Sequence, residues 1–330
     1  MAASGDVGIG ASEEPDTLAS VLPKRTRYIL LAVIALYAAF VMKTASAPRQ
    51  LTPWGYRWAA RAAAAICAAI GKLFGLTFTM KFSEDLKGPF LACVSPHGVL
   101  PLSLIGFGMW KFCARAGPFS EPGLVRLDAR AGGASILFNV PVLRELLLLA
   151  NVRDASLGNL IRLLMSGRTV AVNPGGNWEM TNASHEQERI YVQKRLGFVR
   201  LAMKAGCPLL PAYAFGESQL FRSSKRLLGL RLWMVRKFRI GVPLFTGRWG
   251  LPWTVPIPTD VTFVVGKPVA VGPPNGDPTD EEVDEVFQRY VDEVCAIYQA
   301  NASKYLPPAV AARGLEVHRI GHGKVRHAKL

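Results

Sequence analysis

The sequence predicts an α/β domain with a mainly parallel sheet, preceded by an N-terminal hydrophobic membrane hairpin. Three observations predict it. Short apolar runs of strand length alternate with stretches of helical period from Gly88 onward, the pattern of parallel strands joined by crossover helices. Two apolar segments flanked by basic residues stand ahead of that alternation. Half of the residues are apolar and mean hydropathy is +0.21 although 19% are charged, so some apolar surface is expected to face lipid.

Residues 1–23 are rich in small and acidic side chains and read as a disordered leader. Residues 24–80 form the hairpin. Its first limb, Tyr28–Met42, carries no charge and sits between Lys24, Arg25, Arg27 and Lys43. It is shorter than the roughly 20 residues of a full span, and no cleavage site marks it as a signal peptide. Its second limb, Trp54–Leu76, carries Arg57, Arg61 and Lys72 near one face at helical spacing and reads as amphipathic. Basic residues on both outer flanks suit a hairpin that enters and leaves one leaflet, with the remainder of the chain cytosolic.

Residues 81–306 form the main domain. Phe90–Val94, Thr169–Asn173, Pro208–Ala214 and Val261–Val265 read as buried strands. Leu143–Leu149, Leu157–Met165, Val192–Ala205 and Asp280–Ser303 read as helices. In the last, Val283, Val286, Phe287, Tyr290, Val291, Val294 and Tyr298 share one stripe opposite Glu281, Asp284, Glu285 and Asp292. Residues 307–330 form a basic tail, read as mobile from Arg313 to Leu330.

Lys and Arg total 39 against 24 acidic residues, a formal charge of +15, which calls for an anionic partner. Nucleic acid is excluded: the basic residues are interleaved with apolar runs and no recognition module appears. The cysteines Cys67, Cys93, Cys113, Cys207 and Cys295 are isolated. They have no metal-ligand spacing, so no metal site is expected, and they read as free thiols in a reducing compartment.

The histidines narrow by elimination. His318, His322 and His327 lie in the basic tail, and His185 lies in the polar stretch Asn182–Glu188. His97 alone has an apolar, structured setting, in Phe-Leu-Ala-Cys-Val-Ser-Pro-His-Gly at the end of a strand. Strand ends are where α/β proteins place their sites, and an ordinary imidazole pKa of about 6.5 suits proton abstraction. Taken alone, the position suits a structural turn histidine equally well. No GxSxG elbow and no Cys/His signature competes with it, which favours direct transfer over a covalent intermediate. No phosphate loop or GxGxxG fingerprint is present.

Asn173-Pro174-Gly175-Gly176-Asn177-Trp178-Glu179 again follows a strand end. Paired glycines expose backbone N–H groups to an oxyanion, and a plain turn with a solvated glutamate is the alternative. Leu210–Glu217 reads as a strand leading into a turn. Between Glu217 and Asp260 there is no acidic residue, while Arg222, Lys225, Arg226, Arg231, Arg236, Lys237, Arg239 and Arg248 mix with Leu, Trp and Phe. That mixture suits an anionic membrane surface or the phosphates of a CoA nucleotide.

Together, from Tyr28 to Leu306, these blocks resemble the type-2 diacylglycerol acyltransferase family. Ser95-Pro96-His97-Gly98 is similar to its His-Pro-His-Gly motif, with Ser95 where the family has its first histidine. Pro141-Val142-Leu143-Arg144-Glu145, Gly175-Gly176-Asn177-Trp178-Glu179, Arg195-Leu196-Gly197-Phe198-Val199-Arg200, Tyr213-Ala214-Phe215-Gly216-Glu217 and Val265-Gly266-Lys267-Pro268 resemble five further blocks, in the family's order.

The resemblance implies a glycerolphosphate-acyltransferase-like fold and transfer of an acyl group from acyl-CoA to diacylglycerol. Monoacylglycerol or a long-chain alcohol is an alternative acceptor, and a non-catalytic membrane or lipid-droplet protein is a rival of another class. Acyl-CoA is a substrate and no cofactor is implied. The implied place is the endoplasmic reticulum membrane, with a cytosolic catalytic domain and access to lipid droplets. The implied partners are acyl-CoA, diacylglycerol and membrane lipids, and a homo-oligomer is left open. His97 is the implied base, supported by Glu179. Gly98, Gly175, Gly176, Arg144 and Glu217 are the expected oxyanion or substrate-binding positions, and Arg195, Arg222, Arg226, Arg236 and Lys237 the expected contacts to membrane or CoA phosphate.

Overall fold

The structure, a computed structural model, describes residues 23–82, 86–106, 129–252, 255–321 and 323–328. The expected leader, apart from Pro23, lies outside these residues, as do Cys113 and His322. The described residues fall into two compact units that divide between Ala47 and Pro48.

In the first unit, helix α1 (Lys24–Lys43) is 20 residues long and buries none of them. The helix incorporates the flanking Lys24–Arg27 and Lys43, so it exceeds the apolar run read from sequence and reaches about 30 Å. The segment Lys24–Arg49 is the one stretch among the described residues long and apolar enough to cross a membrane.

In the second unit, α2 (Arg57–Leu73) buries Ala60, Ala64 and Gly71 and leaves Trp58, Ile66, Ile70 and Leu73 exposed. Small residues line its inner face, which lets it lie close to the domain. A strand the sequence reading passed over follows at once: β1 (Leu76–Phe82), half-buried in alternation. Its polar alternate positions, Thr77, Thr79 and Lys81, broke the apolar run by which the other strands were found.

The remaining elements of the domain are β2 (Leu91–Ser95), β3 (Ala129–Gly133), α3 (Leu143–Leu149), β4 (Val152–Asp154), α4 (Leu157–Met165), β5 (Thr169–Val172), α5 (Gly176–Asn182), β6 (Glu188–Val192), α6 (Gly197–Ala205), β7 (Leu209–Phe215), β8 (Arg222–Ser223), α7 (Leu228–Phe238), β9 (Phe245–Thr246), β10 (Thr259–Val265) and α8 (Asp280–Tyr305). Seven strands form one sheet in the order β1-β10-β7-β2-β5-β3-β4. Only the β10–β7 pair is antiparallel, so the sheet is mainly parallel as expected. β2 lies at its centre with every residue buried, and its two neighbours, β7 and β5, run parallel to it.

Helix α8 closes one face. Thr279 caps it through a reciprocal capping box with Glu282, and its predicted stripe is buried, from Val283 (1% exposed) to Tyr298 (0%). Each fully buried large apolar side chain contributes about 1.5–3 kcal/mol.

Two expectations need correction. The helix expected over Val192–Ala205 begins only at Gly197, and Val192 ends strand β6. Ile190 and Val192 are buried while Arg189 and Tyr191 are only partly so, a period of two that a helical reading overrode. The tail expected to be mobile from Arg313 carries regular structure over its described residues: after α9 (Pro308–Arg313) come β11 (Leu315–Arg319) and β12 (Gly323–Ala328). β11 pairs in parallel with β6 and antiparallel with β12. Leu315 and Val317 are buried, and their alternation with Glu316 and His318 was hidden by the basic composition.

Candidate active site

Three motifs far apart in sequence meet because they end three adjacent parallel strands. β2 leads to His97, β5 to Gly175–Glu179, and β7 to Gly216–Glu217. The carboxyl edge of a parallel sheet is where α/β proteins assemble their sites.

His97 follows the cis Ser95–Pro96 peptide and is 9% exposed. Its Nδ1 lies 3.1 Å from the Gly98 carbonyl oxygen. That oxygen can only accept, so Nδ1 carries the proton and Nε2 presents the lone pair. Burial lowers its pKa to about 4, against smaller opposing contributions from backbone hydrogen bonds. The imidazole is therefore neutral at physiological pH, the state in which it can take up a proton.

Glu179 does not touch the ring, contrary to the expectation that it orients the imidazole. Its Oε1 accepts the backbone N–H of His97 at 2.5 Å, and its Oε2 accepts the backbone N–H of Tyr191 at 3.1 Å. It is 1% exposed. Burial pushes its pKa up to about 8, opposed by these two hydrogen bonds and aided by the charge of Glu188. The solvated glutamate considered from sequence is thus a buried clamp on the backbone of the histidine.

Glu217 is the second clamp. Its carboxylate accepts from the backbone N–H of Leu102 at 2.7 Å and of Ser103 at 3.2 Å, and from the Ser103 hydroxyl. Gly98 has φ +61°, and a Cβ there would stand 3.0 Å from Glu217 Cγ. Glycine is thus required both by conformation and by the close approach of this glutamate. Burial pushes the Glu217 pKa up to about 7. The loop from His97 to Ser103 is held by one carboxylate at each end.

The paired glycines serve this packing. The Gly176 N–H donates to the Asn173 carbonyl at 3.2 Å, which removes it from the expected oxyanion donors. A Cβ on Gly175 would fall 2.1 Å from Glu179 Oε2 and 2.3 Å from the Tyr191 carbonyl, so Gly175 exists to let Glu179 reach across. Asn173 Nδ2 donates to the Val94 carbonyl at 2.7 Å, joining this turn to β2.

The other expected positions lie apart. Arg144 is buried on α3, which packs against edge strand β4, and pairs with Glu145 at 2.7 Å. Arg195 borders an open groove of about 870 Å³ that also holds Asp277, Asp280 and Asp284. Arg236 stacks over the Trp178 ring at 5.0 Å. Arg226 and Lys237 are exposed, and Arg222 borders a cavity of about 490 Å³.

Glu188 lies at the end of the polar stretch Asn182–Glu188, which reads from sequence as a surface loop. Glu188 is fully buried and accepts from Tyr213 Oη at 2.6 Å and Gln219 Nε2 at 2.9 Å. Also not singled out from sequence are the buried Arg130 and Arg153, whose guanidiniums hold the carbonyls of Leu51 (3.0 Å), Gln50 (3.1 Å) and Thr52 (2.9 Å). A glutamate alternating with Ile190 and Val192 was the available signal for the first. The arginines carried none, since charged residues inside strands read as solvated.

Fold and site together define an α/β protein with a neutral, buried histidine clamped at the carboxyl edge of its central strands. Within that class the chain belongs to the diacylglycerol acyltransferase family, whose model matches residues 26–311. It is 30% identical over 237 residues to diacylglycerol O-acyltransferase 1 of Schizosaccharomyces pombe, covering 66% of this chain and 64% of that one. It is 32% identical over 232 residues to 2-acylglycerol O-acyltransferase 3 of Homo sapiens, covering 65% and 64%. It is 28% identical over 230 residues to human diacylglycerol O-acyltransferase 2, covering 64% and 56%. The chain thus spans less than two thirds of the length of these relatives. Among solved structures it is similar to the 1-acyl-sn-glycerophosphate (LPA) acyltransferase PlsC of Thermotoga maritima, at 20% identity and TM-score 0.39, over 82% of this chain and 99% of that one.

Proposed function

We propose that this chain transfers a fatty acyl group from acyl-CoA to diacylglycerol, forming triacylglycerol, with His97 as general base. One observation carries the reading. His97, just beyond the end of the central strand, has its Nδ1 proton directed to the Gly98 carbonyl, which leaves the lone pair on Nε2, while two buried glutamates hold its backbone loop. Family membership and the relatives' names supply the chemistry around that base.

In this mechanism Nε2 takes the proton from the acceptor hydroxyl. The oxygen attacks the thioester carbonyl and a tetrahedral oxyanion forms. Of the three predicted glycines, Gly98 supplies the backbone N–H toward that oxygen, a contact of about 3–4 kcal/mol in the transition state. The carbon–sulfur bond then breaks, and the departing CoA thiolate collects the proton from His97. Glu179 and Glu217 act as positioning residues that hold the base without contacting substrate. The reaction needs no cofactor and no metal, and acyl-CoA is consumed as a substrate.

The proposed location is the endoplasmic reticulum membrane, with the α/β unit on the cytosolic side and access to lipid droplets. Helix α1, apolar and exposed on every face, supports anchoring. Helix α7 supports a second contact with the anionic surface, since Leu230, Trp233 and Phe238 are exposed beside Arg236 and Lys237.

The test supplies the full chain in membranes with labelled acyl-CoA and one acceptor at a time. Triacylglycerol from diacylglycerol is the expected product. A monoacylglycerol acceptor is the second reading, favoured by the 32% identity to the human 2-acylglycerol O-acyltransferase, and the same assay resolves it by diacylglycerol appearing instead. No ester above background with any acceptor refutes the enzymatic reading.

A further inference from the structure

A cavity of about 490 Å³ opens between the segment after α5, strand β6 and strand β8, within the range of small-ligand sites. Arg189, Arg222, Lys225 and Arg313 line it, and Glu186 is the single carboxylate among the described lining residues. Two of the cations are already balanced: Arg313 pairs with Glu186 at 3.2 Å and Arg189 with Glu316 at 2.8 Å. Arg222 and Lys225 have no ion pair among the described residues. Hydroxyls of Ser223 and Ser224 lie beside them. Burial, and behind it the neighbouring Arg222 charge, lowers the pKa of His185 on the same wall. His185 is therefore neutral at physiological pH, and the cavity's charge comes from its arginines and lysine. Surplus guanidinium and ammonium charge with hydroxyl donors is the chemistry that recognises phosphate.

The cavity is tied to the His97 loop through Glu179. Tyr191 lines it, and the carboxylate that holds the Tyr191 N–H holds the His97 N–H on its other oxygen. Ala183, also in the lining, packs against the apolar cluster that contains Val99, two residues beyond His97.

We propose that this cavity holds the phosphorylated nucleotide end of acyl-CoA, with Arg222 and Lys225 as its phosphate contacts. The proposal rests on the acyl-CoA-dependent reading above. Its test compares acyl-CoA with acyl-pantetheine, which keeps the thioester and lacks the nucleotide, using the full chain in neutral phosphatidylcholine vesicles. In the wild type, acyl-CoA is expected to have the lower KM. In Arg222→Ala/Lys225→Ala that preference collapses, through a rise in the acyl-CoA KM on the order of ten- to a hundredfold, as for lost contacts to a charged group. The charge-preserving Arg222→Lys/Lys225→Arg exchange retains the preference. An unchanged acyl-CoA KM in the alanine variant overturns the proposal, and so does an equal rise for acyl-pantetheine. A loss of preference seen only when anionic phospholipid is present also overturns it, because the cavity would then read a lipid headgroup. A wild type that forms no ester at all refutes the function itself, an outcome distinct from these three.

Discussion

At the carboxyl edge of β7, β2 and β5, two buried carboxylates hold backbone N–H groups. On the β3–β4 side, two buried guanidiniums hold backbone carbonyls. Glu179 and Glu217 grip both ends of the His97 loop, whereas Arg130 and Arg153 grip residues 50–52, where the chain enters the domain. The difference follows from what each group can do. The carboxyl oxygens facing these amides accept, whereas a guanidinium only donates. An arginine beside His97 would set a permanent cation against an imidazole that, in the proposed mechanism, has to become one. On the β3–β4 side, the many donors of a guanidinium suit an irregular segment rich in carbonyls that no strand pairs. Even with its pKa lowered to about 10 by burial and by Arg130, Arg153 stays charged at neutral pH.

The largest effect is expected for His97→Ala, which removes the proposed base: ester formation should fall by roughly 10²–10⁴-fold, with membrane association intact, in the labelled-acyl assay. Turnover near the wild-type level would show that the clamped loop serves only to fold.

Glu217→Ala and Arg153→Met separate the two regions. Each leaves buried backbone groups unpaired, at about 1–3 kcal/mol per group, and both should lower the midpoint of thermal unfolding. Glu217→Ala should also lower kcat about tenfold, since the loop of the base loosens. Arg153→Met should leave the kcat of the folded fraction within about twofold of wild type. Equal kcat losses would erase the distinction.

Gly98→Ala puts a Cβ against Glu217 in a left-handed backbone, at about 1–3 kcal/mol. Its kcat should fall with KM little changed, as measured by initial rates.

Two pH effects are smaller. Because burial holds the His97 pKa near 4, kcat/KM should stay flat from pH 8 down to about 5 and fall only below that. An acid limb centred near 6.5 would mean a solvated ring. The Glu179 pKa is raised to about 8, so the folded state binds a proton there that the unfolded chain releases near 4.5. Its stabilisation is therefore complete at low pH and is lost as pH rises toward 8. The stability advantage of wild type over Glu179→Gln should narrow across that window in calorimetric scans.

Much of the fold was legible in sequence where one period dominated. The strands β2, β5, β7 and β10 are apolar runs of strand length, and the α8 stripe repeats cleanly under a capping box. β1, β6 and β11 were hidden because polar residues occupy their alternate positions. His97 was found by elimination. The direction of Glu179 was not found, because sequence spacing cannot distinguish a carboxylate aimed at a ring from one aimed at the amide of the same residue.

By itself, the sequence determined the alternation that makes a mainly parallel sheet, the apolar N-terminal helix, and the residue types at each strand end, all of which follow from local periodicity and composition. The tertiary structure decided which strand ends became neighbours, and thereby that Glu179, Glu217 and His97 share one edge. It also decided that burial keeps the imidazole neutral and drives both glutamate pKa values up. Strand order and desolvation depend on contacts between residues some eighty to more than a hundred positions apart, and no local pattern encodes them.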